Sequence, residues 1–135
     1  MIRLFEDETS ALTQYEKEEL LPVMVRCLKR HIGKKAAISN AKICENLELH
    51  DYFTKETRVR KLINYIRNNN LVTCLIASGK GYYVSFDKDE IKVYIKSLED
   101  RIEAITEVKD SLQAQLDDLI NELPIEDNPD GQLPS

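Results

Sequence analysis

Apolar residues three and four apart dominate the first half of the chain and predict helices. Leu20, Leu21, Met24, Val25, Leu28 and Ile32 form the first stripe, behind a capping box at Thr13 and Glu16. Pro22 removes one intrahelical donor, so this stripe is expected to kink or to divide into two short helices, the second starting near Leu21. Gly33, preceded by the cations Lys29, Arg30 and His31, reads as the stop. A short link, KKAAI, leads to Ser39, the cap of a second helix over about residues 40–48 with Ile43, Cys44 and Leu47 on one face. Thr54 reads as the cap of a third helix over about 55–69, whose stripe is Val59, Leu62, Ile63 and Ile66 and which ends at Asn68, Asn69 and Asn70.

From Leu71 the period changes to that of a strand. LVTCLIA and YYVSF flank SGKG, which is a hairpin signature. Asp87 or Asp89 then caps a last helix running to about Leu123, and the proline-bearing PIEDNPDGQLPS predicts a disordered tail. Along the last helix Ile91, Ile95, Leu98, Ile102, Ile105, Lys109, Leu112, Leu116, Leu119 and Leu123 alternate in steps of four and three, a heptad seam with one polar interruption. A helix folded back on its own domain is the alternative. Its weakness is length, since such a seam runs ~50 Å at about 1.5 Å per residue.

Charge changes the picture. The net charge is -5, yet residues 26–80 carry 12 basic and 4 acidic side chains, a local +8 between ends of -4 and -9. A phosphate backbone responds to that local potential, which the mean conceals. The remaining composition excludes classes. No run of about 18 apolar residues exists for a membrane helix, and MIRLFEDETS lacks the layout of a secretory signal. Cys27, Cys44 and Cys74 are an odd number without CxxC spacing, which argues for a reduced cytoplasmic protein and against a disulfide framework or a zinc site. The four glycines form no phosphate-cradling motif. His31 and His50 have no acid or thiol at motif spacing, and Cys44 reads as core, so we expect no catalytic residue, no metal and no cofactor.

Three helices, a hairpin and cations concentrated in the third helix describe a winged helix-turn-helix. The fold class expected is mainly α with a small β-hairpin (α+β), followed by a long C-terminal coiled-coil helix. The expected divisions are an acidic arm (1–11), the winged domain (12–88), a dimerisation helix (89–123) and the tail (124–135). The stretch from Arg58 to Asn70, the Ser78–Tyr83 turn and the helix opening at Asp89 resemble those of small winged-helix proteins of bacterial phages and prophages. The opening from Leu12 to Cys44 is similar as well, and the heptads beyond Ile105 depart from the usual pattern. The resemblance implies a DNA-binding class more firmly than any biological process.

At about 100° per residue, Thr57, Arg60, Lys61 and Asn64 point away from the core of the third helix, with Thr54, Arg58 and Tyr65 on its flanks. Arg and Asn pair bidentately with guanine and adenine in the major groove, and Lys and Thr more often hold phosphate. Lys55 at the helix start, Lys34 and Lys35 after the first helix, Lys42 in the second, and Lys80 at the hairpin tip complete the candidate DNA contacts. The expected dimer contacts are the nine Ile and Leu positions of the seam from Ile91 to Leu123. The function expected is double-stranded DNA binding by a homodimer, in phage or mobile-element transcription regulation or as a replication accessory, within the host cytoplasm or nucleoid. The alternative is a protein-interaction module whose acidic ends mimic DNA or dock on a basic host or phage protein.

Overall fold

The computed structural model describes residues 11–122. The expected arm up to Ser10, the seam residue Leu123 and the expected tail lie outside the described residues. The chain divides between Tyr94 and Ile95 into two compact units.

In the first unit, a π-helical segment, Glu16–Leu20, runs directly into α1, Leu21–Lys29, with Pro22 in its first turn. Of the two expected outcomes, a kink or a division near Leu21, the division is found: the second segment starts at Leu21, and the first is a π-helical turn. Leu21 donates its N–H to the Glu16 carbonyl five residues back, and Leu20 keeps helical dihedrals, so the helical path continues. A single wide turn is a common way to absorb a residue that lacks a donor. The capping box forms as read: Thr13 N–H donates to Glu16 Oε1 at 2.8 Å, and Glu16 N–H to Thr13 Oγ1 at 3.1 Å.

α1 ends before Gly33, at Lys29, because the chain is diverted there to pair with the hairpin. Gly33 N–H donates to the Val84 carbonyl at 2.8 Å and Val84 N–H to the His31 carbonyl at 2.8 Å. After a one-turn 3-10 helix, Lys34–Ala36, Ile38 and Tyr82 exchange both backbone hydrogen bonds, at 2.9 and 2.8 Å. What reads in sequence as a link is therefore a strand-like edge.

α2, Asn40–Leu49, is capped by Ser39, whose hydroxyl accepts from Lys42 N–H at 3.1 Å. α3 is Glu56–Asn68, and Lys55 rather than Thr54 holds its N-cap position, with no side-chain cap bond. Asn70, at φ 56, takes the left-handed turn that closes it.

β1, Leu75–Ser78, and β2, Gly81–Val84, form an antiparallel hairpin in the register Leu75 to Val84 and Ser78 to Gly81. The first strand starts four residues later than its apolar run suggests, because Cys74 takes a left-handed φ of 57 and turns the chain. Leu75 and Val84 join the core formed by Met24, Leu28, Ile43, Leu47, Val59, Leu62, Ile63 and Ile66. Side chains alternate across a strand, so their neighbours Ile76 and Tyr83, also buried, face the other side. There α4, Lys88–Asn121, begins. Asp87 Oδ1 accepts from Asp89 N–H at 2.9 Å and Glu90 N–H at 3.2 Å. The Tyr83 and Ser85 hydroxyls both donate to the Glu90 carboxylate.

The second unit is the rest of α4. All of its side chains from Glu99 onward are exposed, the seam residues Ile102, Ile105, Leu112, Leu116 and Leu119 among them. No described helix is long and apolar enough to cross a membrane.

Candidate nucleic-acid interface

The exposed face of α3 follows from what the opposite face buries. Val59, Leu62, Ile63 and Ile66 are closed to solvent, which turns Arg60 and Asn64 outward and leaves Lys61 half-buried and Tyr65 at the margin. Glu56, in the first turn, is the only carboxylate on this helix. Its charge complements the helix N-terminus and leaves the middle turns cationic.

Two expected contacts do not belong to this face. Thr57 and Arg58 are buried, each 9% exposed. Arg58 is held by the N-terminal segment. Arg58 donates to Glu16 through Nε at 2.8 Å and Nη2 at 2.6 Å, and to the Ala11 carbonyl at 3.1 Å. The guanidinium holds the Glu16 carboxyl below the usual glutamate range, against the opposite pull of burial. Arg58 is thus a structural cation. Thr57 Oγ1 is enclosed with no hydrogen-bond partner, which likewise removes it from a solvent-facing role.

The other expected cations lie at four loops or helix starts. Lys34 and Lys35 are exposed in the 3-10 turn, which the Gly33–Val84 and Ile38–Tyr82 bonds hang from β2. Lys80 is exposed at the tip of the same hairpin, where its N–H donates to Ser78 Oγ at 3.3 Å. Both lysine turns are therefore anchored to one strand. Lys42 is exposed and pairs with Glu45 at 3.1 Å, which offsets part of its charge. Lys55 is exposed and Thr54 half-buried.

The hairpin tip depends on Gly81 rather than on both glycines. Gly81 has φ 126, and a Cβ there would lie 2.2 Å from the Ile38 carbonyl oxygen, whereas one at Gly79 would meet nothing within 4 Å. Of the two tyrosines after it, Tyr83 is buried and Tyr82 half-buried. Burial, and then the hydrogen bond to Glu90, push the Tyr83 phenol up.

Cys27 and Cys44 are half-buried, and burial raises both thiols, so the thiolate a nucleophile requires is disfavoured. Among the described residues no group of three His, Cys, Asp or Glu side chains is placed to hold a metal ion. His31 lies with Nδ1 2.7 Å from the Ala36 carbonyl, and His50 is exposed beyond the end of α2.

Sequence reasoning missed the Glu16–Arg58 pair and the strand-like edge at Ile38. No local signal marks the first, because its partners are 42 residues apart. The second had one: Ile38, a β-branched residue, lies immediately before the Ser39 cap at the end of the KKAAI connection. No protein-family model, curated protein or solved structure matches the chain.

Proposed function

We propose that this chain is a double-stranded DNA-binding protein with a winged helix-turn-helix domain, acting as a homodimer in phage or mobile-element transcription regulation or replication. The observation that carries the reading is the outer face of α3, where Arg60 and Asn64 face solvent beside Lys61 with no carboxylate among them. A helix of this kind fits the major groove, and its Arg and Asn side chains match guanine and adenine edges. The order of elements supports a wing: helix, strand-like edge, two helices, then a hairpin whose inner strand pairs with that edge. Lys34, Lys35, Lys42, Lys55 and Lys80 would hold phosphates, which position the protein without reading sequence. Such a role places the protein in the host cytoplasm or nucleoid.

A second reading, a protein-interaction module, draws on Leu49, Phe53 and Phe86, which are exposed apolar side chains on the same unit. Titration of a labelled random duplex at several salt concentrations separates the two. DNA binding should weaken steeply with salt, by about -0.9 in log–log slope per phosphate contacted. Absence of binding at ~50 mM salt would favour the protein-interaction reading.

A further inference from the structure

A cleft of ≈ 660 Å³ opens between α1 and α2, a volume typical of small-molecule sites. None of its lining residues belongs to α3 or the hairpin, so it is separate from the proposed DNA face. Core side chains such as Met24 and Leu47 close its floor. Val23, Cys27 and Tyr52, each half-buried, give it an apolar wall. Arg26 on α1 and Arg30, four residues on at its C-cap, line it with His31 and His50, and no Asp or Glu does.

We propose that this cleft binds a small aromatic carboxylate. Charge sets the sign of the ligand. Two guanidiniums outweigh the two helix C-termini nearby, each worth about -0.5 of a charge. The wall sets the rest: the half-buried ring of Tyr52, beside Val23 and Cys27, offers an aromatic ligand a face to pack against. Arg30 Nε donates to the Arg26 carbonyl at 3.3 Å, which leaves its two terminal nitrogens for a carboxylate in the forked geometry that guanidinium favours. The inference does not rest on DNA binding, and its test needs no DNA.

The test uses the full chain with naphthoate as probe, naphthamide as its neutral counterpart and inorganic phosphate as the bare anion. Calorimetry should show saturable one-to-one binding of naphthoate, weaker by about tenfold or more for naphthamide and for the Arg26→Gln/Arg30→Gln variant, a loss of at least one decade in Kd. Both arginines are exposed, so the variant keeps its fold. Location is read independently: in a Cys44→Ser/Cys74→Ser background, naphthoate should slow alkylation of Cys27 in proportion to occupancy. Equal affinity for naphthamide, no loss in the arginine variant, or binding without protection of Cys27 overturns the proposal. Protection by phosphate as strong as by naphthoate overturns the aromatic part of the assignment, and no saturation up to ~5 mM overturns it entirely.

Discussion

The Glu16 carboxylate and the Arg58 guanidinium meet in a two-pronged ion pair, at 2.8 and 2.6 Å, in which the residues are 5% and 9% exposed. Glu16 Oε1 also accepts the Thr13 N–H of the capping box. One carboxylate therefore closes a helix end and ties it to α3 at the same time. A buried pair is weak evidence for stability in itself, but breaking one strands the remaining charge in the interior.

Glu16→Gln should accordingly lower unfolding stability by about 3–5 kcal/mol, the usual cost of removing one partner of a buried pair. The pH dependence follows from the direction of the shift. Hydrogen bonding to Arg58 sets the folded carboxyl below its ordinary 4.5, so the unfolded chain takes up the proton first on acidification. The stabilisation is complete above the ordinary value and is lost as pH falls through the lowered one. Urea midpoints of wild type and Glu16→Gln should differ by a constant amount between about pH 6 and 8 and converge below the ordinary glutamate range. A gap that persists undiminished at about pH 2 would show that the charge is not what the variant removes.

Gly81→Ala should destabilise by roughly 2–3 kcal/mol or more, while Gly79→Ala should stay within about 0.5 kcal/mol. At Gly81 the positive φ and the Ile38 carbonyl 2.2 Å from a built Cβ act together; at Gly79 the space is open. Amide exchange locates the damage. In Gly81→Ala the Tyr82 and Ile38 amides, which pair with each other's carbonyls, should lose protection first. Equal effects of the two substitutions would place the glycine requirement in the turn and not in the contact with Ile38.

What was legible in the sequence was local. Thr13 with Glu16, Ser39 and Asp87 each satisfy amides within three residues, and those caps form as read. The α3 stripe was legible because four apolar residues on a regular helix define a direction without outside help. The fate of Arg58 was not, because its burial depends on the distant segment that holds it. Leu71 to Cys74 reads as strand by composition, but the positive φ at Cys74 is a tertiary choice that places Ser85 N–H on the Cys74 carbonyl at 3.1 Å. Pro22 marked the division at Leu21 but not the π-helical form of the turn before it, since a missing donor does not specify whether the backbone bends or widens.

Arg60→Ala should weaken a preferred DNA site more than random duplex, by about 1–3 kcal/mol of discrimination, whereas Lys80→Ala should weaken both alike. Arg60 projects from the outer face of α3 and Lys80 from a hairpin tip, which the proposed function assigns to base and backbone contact respectively. Competition titrations with a selected site and a scrambled duplex read both effects. Equal losses on the two duplexes for Arg60→Ala would move that residue to the phosphate-binding group.

The C-terminal helix should make the dimer and set DNA affinity. In one chain Ile95, Ile102, Ile105, Leu112, Leu116 and Leu119 of the seam are each about half exposed or more. Burying the remaining surface contributes roughly 1–2 kcal/mol per side chain. With both chains counted the gain is on the order of 12–24 kcal/mol, against ~4–15 kcal/mol of lost freedom on association. Lys109 is the dissenting seam position. It pairs with Asp110 at 3.0 Å, both side chains exposed, which contributes little, so Lys109→Leu should tighten the dimer at some loss of register control. Leu112→Asp/Leu116→Asp should give monomers that still fold, because both residues lie in the second unit, outside the core of the first. Those monomers should bind DNA far more weakly, since two tethered half-site contacts become one. Sedimentation equilibrium at ~100 μM decides the matter: a monomeric wild-type chain would rule out the seam as a dimer interface, and equal DNA affinity in the double-Asp variant would separate dimerisation from binding.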